Sequence, residues 1–346
     1  MPATPVVSFK TEHITSDSIR ISFGGDLIIH EDLYKKVVAD PDHDFSKLWK
    51  NIFPLIEKAD FSYVNLEGPV ALGVDRKKKD HGDIGFVYDK DVYCGTDFLF
   101  NYHPSLIDSI KKSGLGLVST ANNHAFDRGS VGIDKTIAVL KEKNLYYVGT
   151  RKAGSDDPFY TITPIKNFNI AWIACTEATN AFKDKKSQIL LCFEQKDQIL
   201  DLIKTLSQDK KIDAVIVLPH WGTEYKHIQG KPHIKLAHEF LNQGATAVIG
   251  SHPHVLQPIE KYVTDDGRET FIAYSLGNFL AYQRDMDRKA SGIVYLDFTK
   301  NNSGKTVLTN YFYEPIVRVG KEIWPARKMK DVVKFVETYL GPLANP

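Results

Sequence analysis

Five short strand-like segments, Ile19 to Phe23 with apolar and polar residues alternating, Phe61 to Leu66, Gly116 to Ala121, and the apolar runs Ala214 to Pro219 and Ala245 to Ile249, each stop at a polar cluster. Stretches with helical spacing lie between them, among them Phe45 to Lys58, Pro104 to Lys112, Val131 to Lys143 and Lys231 to Gln243. Short apolar runs alternating with amphipathic helices pack as parallel strands buried on both faces. In such sheets ligands bind beyond the carboxyl ends of the strands, so function is expected in the polar clusters. After Ile249 the alternation changes. Gln257 to Val263, Thr270 to Tyr274, Gly292 to Phe298 and Thr306 to Val319 read as strands with few helices between them. Parallel units followed by an antiparallel meander predict an α/β fold with two sheets packed face to face and helices outside.

The polar clusters carry a consistent set of side chains. Gly24-Gly25-Asp26 reads as a glycine turn that exposes a carboxylate, with His30 just beyond. Taken singly, Asp26 reads as well as an N-cap for Leu27 to Val38. Glu67 closes the second run before Gly68-Pro69, and Asn122-Asn123-His124-Ala125-Phe126-Asp127 follows the third. Those asparagines serve equally as a turn capping the next helix. His220-Trp221-Gly222-Thr223-Glu224 follows the fourth run, whereas His233 and His238 fall inside a helix and read as surface residues. The fifth run opens onto Gly250-Ser251-His252-Pro253-His254. Alternate residues of an extended segment point the same way, so its two imidazoles are expected to aim at one point, with Pro253 stiffening the link. Asp26, Glu67, Asn123, His220, His252 and His254 are therefore expected to meet around a metal. Mixed imidazole and carboxylate ligands with one neutral amide oxygen suit manganese, iron or zinc better than calcium. Ser275-Leu276-Gly277-Asn278-Phe279 closes a later strand and is expected to line the site wall.

At 346 residues the chain can bury a large core. Residues 1–17 read as a polar tail, and no repeat or low-complexity linker divides 18–346, which contains a long loop near 70–103. A net charge of +1 gives no sign of a nucleic-acid partner. The local run Asp75-Arg76-Lys77-Lys78-Lys79-Asp80 reads as a solvated face, with steering of a polyanion as the alternative. Cys94, Cys175 and Cys192, odd in number and without CxxC spacing, are expected to fill core space rather than form a disulfide framework. No stretch is long and apolar enough to span a bilayer, and Met1 to Arg20 lacks a signal-peptide pattern, so the chain as given reads as soluble.

In order, Gly-Gly-Asp26, Asn65-Leu-Glu67, Asn122-Asn123-His124, His220-Trp-Gly-x-Glu224, Gly-Ser-His252-Pro-His254 and Ser275-Leu-Gly-Asn278-Phe resemble the CapA family of poly-γ-glutamate capsule synthesis proteins. That family is related to calcineurin-like metallophosphoesterases. The resemblance runs from about Ile19 to about Phe298 and implies a four-layer αββα sandwich with a centre for one or two divalent transition-metal ions. Carried over by motif, Asp26 binds one ion, Glu67 bridges, Asn123, His220 and His252 bind the second, and His254 returns to the first. His124 is then the acid or transition-state donor, and Asp127 and Glu224 complete the candidate catalytic set.

The chain also departs from the phosphoesterase pattern. Position 28 is Ile where those enzymes carry His, Glu67 stands where they place Asp, and Ala125 follows His124 where they place an acid. The resemblance implies a hydrolase or transferase acting on a phosphoester or on an amide-linked polyglutamate, an anionic polymer substrate, membrane proteins of a capsule assembly as partners, and a place at the cell surface. The alternative is a polymer-binding or export subunit without catalysis.

Overall fold

The computed structural model describes residues 14–343, so most of the stretch read as a tail lies outside the described residues. In chain order, β1 (Ile14–Leu27), α1 (Glu31–Val38), α2 (Phe53–Ile56), β2 (Phe61–Leu66), α3 (Ser105–Lys112), β3 (Leu117–Ser119), α4 (Gly129–Glu142) and β4 (Tyr146–Val148) come first. The middle of the chain forms β5 (Tyr160–Ile165), β6 (Phe168–Thr176), α5 (Lys196–Gln208), β7 (Ala214–His220), α6 (Lys231–Gln243) and β8 (Ala247–Ile249). The last part forms β9 (Ile259–Val263), β10 (Glu269–Ala273), β11 (Asn278–Leu280), α7 (Met286–Lys289), β12 (Ala290–Asn301), β13 (Thr306–Val319), β14 (Glu322–Pro325) and α8 (Lys330–Leu340).

These strands make two mixed sheets. The first has eight strands in the order β14-β13-β12-β1-β2-β3-β4, with β11 paired to β1 off that path. The second has six, in the order β5-β6-β7-β8-β10-β9. Pairing is parallel from β1 to β4 and from β6 through β8 to β10, and antiparallel where β12 to β14, β5 and β9 extend the sheets. Among the parallel strands, β7 and β8 are continuous apolar runs, as strands covered on both faces require.

Three apolar clusters fill the three interfaces of an αββα sandwich. Phe23, Tyr63, Leu117, Trp172, Ile216 and Phe271 lie between the sheets. Trp172 stacks on Tyr63 with ring centroids 6.5 Å apart. Leu33, Leu106 and Ile107 of α1 and α3 cover the first sheet, and Ile199, Phe240 and Leu241 of α5 and α6 cover the second. α6 shows why such a helix forms where it does. Pro232 sits in its first turn, Gly244 ends it at φ 133°, and Leu236, Ala237, Phe240 and Leu241 share the buried face. Burying each of the larger side chains contributes about 1.5–3 kcal/mol.

Two expectations are corrected. Phe45 to Lys58 is not one helix but two 3₁₀ turns, Phe45–Leu48 and Lys50–Ile52, followed by α2. Trp49 breaks the run at φ −133° and Pro54 lacks the N–H that a continuing helix needs, although Phe45, Leu48, Trp49 and Ile52 are still buried. Cys175 and Cys192 do not merely fill space: they form a disulfide that closes a loop of sequence separation 17, while Cys94 is buried and free. An odd count leaves room for one pair, and the loop returns beside β6 through the Thr176–Leu191 bridge. The long loop near 70–103 has no helix or strand, yet its backbone is tied down. The Asn101 amide donates to the carbonyls of Ala71, Val74 and Val92, and the fully buried Arg128 guanidinium donates to those of Val74, Leu99, Asp91 and Val92. Among the described residues no helix is long and apolar enough to cross a membrane.

Candidate metal centre

The carboxyl ends of strands from both sheets deliver the polar clusters to one place. β1 runs through the glycines instead of turning at them, so Asp26 lies inside the strand and is not a helix cap; His30 precedes α1. Gly25 permits this path, because a Cβ there would lie 1.8 Å from the Gly277 carbonyl oxygen. The Asp26 N–H donates to that same carbonyl at 2.9 Å. Register then places Asp26 beside Asn65 of β2 and Asn278 of β11. In the second sheet His220 ends β7 and bridges to Ser251, just past β8.

Glu67 is shared by two groups of potential ligands, Glu67 with His252 and His254, and Asp26 with Glu67 and His220. Within each group the ligand atoms lie within 4.8 Å of one another. Glu67 Oε1 is 3.6 Å from His254 Nε2 and 3.9 Å from His220 Nε2. Asp26 Oδ2 is 3.2 Å from His254 Nδ1 and accepts the His252 N–H at 3.2 Å. His220 Nε2 faces Asn123 Oδ1 at 2.9 Å and His252 Nδ1 at 3.1 Å. Ser251 Oγ, 2.9 Å away, occupies the other His220 nitrogen.

Two features of this cluster suit a cation. Both Glu67 carboxylate oxygens are fully buried and have no hydrogen-bond partner, a costly state for an isolated acid. The His220 and His252 nitrogens and the Asn123 oxygen also bring three lone-pair donors to one another, and a proton on one nitrogen satisfies only part of that set. The residues present therefore fit a divalent cation, and the imidazole content favours a transition metal.

Protonation follows the same crowding. Burial raises Glu67 well above the usual carboxylate range, Asp26 adds to this, and the charge of His254 opposes it. Burial works against the His254 imidazolium, but Glu67 and Asp26 outweigh it and push the group up to about 9. Burial and the neighbouring His254 bring His252 down to about 4, and burial with His252 and His254 lowers His220 strongly. Without a cation the cluster thus holds a proton on His254 that ligation would displace.

The expected convergence of His252 and His254 holds for a different reason from the one the sequence suggested. The segment is not extended: His252 has φ 100° and His254 φ 57°, both in the left-handed region that non-glycine residues rarely adopt. A tight turn, not strand alternation, brings the ring centroids to 6.0 Å. Backbone strain of this kind concentrates at ligand sites.

The candidate catalytic residues lie beside the cluster. His124 Nδ1 is 2.8 Å from Asp127 Oδ2, which also accepts the Phe100 N–H at 2.6 Å. Burial raises Asp127, with His124 opposing. Asp127 thus reaches His124 although Ala125 holds the position where phosphoesterases carry the acid. Glu224 is half-buried, hydrogen-bonds Tyr225, and its charge acts on Glu67, His252 and His254. His30 is outside the ligand groups; its Nδ1 accepts the Tyr282 N–H at 3.0 Å, and burial lowers it to about 3.

Three residues that hold the cluster were not among the sequence candidates for ligands. Asn65 donates to Asp26 Oδ1 at 2.8 Å, Asn278 Oδ1 lies 3.1 Å from His254 Nδ1, and Ser251 meets His220. Asn65 and Asn278 stand in the quoted motifs, so the available signal was their place at strand ends.

Residues 20–283 match the bacterial capsule synthesis protein PGA_cap family. The PGA biosynthesis protein CapA of Bacillus subtilis is 26% identical over 302 residues, covering 87% of this chain and 73% of that protein. The capsule biosynthesis protein CapA of Bacillus anthracis is 26% identical over 296 residues, covering 84% of this chain and 67% of that protein. Among solved structures, the NAD nucleotidase NadN of Haemophilus influenzae is 14% identical with a TM-score of 0.50, covering 95% of this chain and 65% of that one. That likeness concerns the fold, which is the metallophosphoesterase-like α/β sandwich. With its ordered motifs, its two-sheet architecture and this match over most of its length, the chain belongs to the PGA_cap family of bacterial capsule synthesis proteins.

Proposed function

We propose that this chain is a metal-dependent hydrolase or transferase of capsule polymer metabolism, acting on a phosphoester or on an amide-linked polyglutamate. The observation that carries the proposal is the buried Glu67 carboxylate, without a hydrogen bond on either oxygen, set among Asp26, His220, His252 and His254. These residues, with Asn123, would hold one or two divalent ions of manganese, iron or zinc. A cation there supplies a Lewis acid that polarises a phosphoryl or carbonyl oxygen and renders water nucleophilic near neutral pH. His124, oriented through Nδ1 by Asp127, keeps Nε2 to exchange a proton with the leaving oxygen or nitrogen. Asn65 and Asn278 hold Asp26 and His254 in place so that both stay oriented toward the centre. The Cys175–Cys192 disulfide supports an oxidising, extracytoplasmic setting, in keeping with the capsule proteins the chain resembles and with membrane proteins of a capsule assembly as partners.

A second reading, a polymer-binding subunit without catalysis, has one observation in its favour. Ile28 is buried and His30 already accepts a hydrogen bond from Tyr282, so the first motif offers Asp26 alone. Elemental analysis of protein purified without chelator separates the possibilities when joined to turnover. The proposal expects bound transition metal, together with cleavage of an aryl phosphate diester or shortening of polyglutamate. Both properties should be lost in His252→Ala and Glu67→Ala. Polymer binding with no bond cleavage under added manganese would establish the second reading instead.

A further inference from the structure

Two loops far apart in sequence meet beside the metal centre, and both are lined with lysine. The loop between β6 and α5 is pinned at its ends by the Cys175–Cys192 disulfide, and its Asn180 accepts from the Asn123 amide at 3.2 Å. Two residues on, Phe182 carries the Lys78 ammonium 4.9 Å from its ring centroid. The stem of Lys78 also packs against Gly129 at the start of α4, just after Asp127. This contact joins the basic run of the long loop to the wall of the cluster.

Lys77, Lys78, Lys79, Lys183, Lys185 and Lys186 are all exposed on these two loops, and among the described residues none of these side chains is in an ion pair. The neighbouring acids are occupied. Asp75 pairs with His81, Asp80 with Lys135, and Asp184 accepts the N–H groups of Lys186, Gln188 and Ile189. The two arginines nearby are tied down as well, Arg76 to Asp97 and Arg151 to the Ser187 carbonyl. In a chain of net charge +1 this is a local excess of positive charge.

We propose that these six lysines form a binding rim for a flexible, carboxylate-bearing linear polyanion, which feeds one segment at a time to the metal centre. It rests on the proposed function only for the reaction at that centre. Lysines on flexible stems act as point charges without directional preference, which suits carboxylates repeated along a mobile chain. Phosphodiester recognition draws on arginine forks and stacked aromatics, and here the arginines are engaged and the Phe182 ring is covered by Lys78. Longer polymers engage more lysines at once, so affinity should grow with length and fall with salt.

The test is fluorescence anisotropy of the full chain with labelled oligoglutamates of roughly 3 and roughly 20 residues, at about 50 and about 300 mM salt. The longer probe should bind roughly tenfold or more tightly than the shorter at low salt and lose that advantage at high salt. Joint replacement of Lys77, Lys79, Lys183 and Lys185 by Ser, which keeps the Lys78 contact with Phe182, should abolish the length dependence. Replacement of Lys204, Lys210, Lys211 and Lys334, exposed lysines elsewhere, should leave it intact. Melting temperature and metal content should be unchanged in both variants. Equal loss in both, or binding independent of length, would overturn the proposal, and rim-dependent binding of single-stranded DNA as tight as that of the long oligoglutamate would overturn the polymer class. Because binding is read without turnover, a wild-type protein that takes up no metal counts against the proposed function and not against the rim.

Discussion

Glu67→Gln separates a metal-binding carboxylate from a structural one, because it keeps the shape and removes the charge. Both Glu67 oxygens are buried without a hydrogen bond, so in metal-free protein the side chain is a burden rather than a support. The amide that replaces the carboxylate brings an N–H donor within reach of the Asp26 carboxylate, and giving a buried polar group a partner contributes about 1–3 kcal/mol. Against this stands the lost attraction to His254 across 3.6 Å, but His254 retains Asp26 at 3.2 Å. The metal-free variant should therefore melt no lower than wild type. At an unfolding entropy of about 2 cal/mol/K per residue, a chain this long gains about 1–4 °C from about 1–3 kcal/mol. Manganese reverses the ranking. At a concentration of about 100 times its Kd, a ligand stabilises the native state by about 2.7 kcal/mol, or about 4 °C on the same scale. Wild type should show that rise, and Glu67→Gln, having lost the residue common to both ligand groups, should show almost none. Differential scanning fluorimetry with EDTA and with manganese reads both quantities. A variant that melts lower than wild type in EDTA and still gains the full manganese shift would refute the reasoning.

The joint contribution of His252 and His254 to the stability of metal-free protein should be greatest near pH 6.5. His252 titrates at about 4 when folded, so the unfolded chain binds more protons between about 4 and 6.5 and stability rises with pH there; His254 titrates at about 9 when folded, so the native state binds more protons between 6.5 and about 9 and stability falls. Thermal unfolding in EDTA across that range checks both limbs, and manganese affinity should rise over the upper one as His254 gives up its proton. Joint Cys175→Ser and Cys192→Ser should lower stability by about 3 kcal/mol, from the loop of sequence separation 17, and open residues 176–191 to proteolysis. Asp127→Asn should lower kcat by about 10²-fold or more while leaving metal content unchanged, because it disturbs the orientation and proton affinity of His124 without touching the ligand groups.

Strands β7 and β8 and the helices α3, α4 and α6 were legible because continuous apolar runs and amphipathic spacing are local signals. The 45–58 stretch was not, because its apolar face is buried as a helix would bury it while Trp49 and Pro54 decide the backbone. The disulfide escaped notice because pairing of Cys175 with Cys192 depends on how the intervening loop returns. Asp26, Glu67, His220, His252 and His254 could be chosen from their places at strand ends, and the structure brings them together. What strand ends do not disclose is register. Asn65 joins the site because β1 and β2 align it with Asp26, and the left-handed turn at His252 and His254 is closed by contacts from other parts of the chain.

The most direct measurement is anomalous diffraction at the manganese, iron and zinc edges from crystals grown without chelator. A peak is expected within coordination distance of Glu67, flanked by the imidazoles of His220, His252 and His254. Clear density for those side chains with no anomalous peak among them, in crystals supplied with each metal, would contradict it.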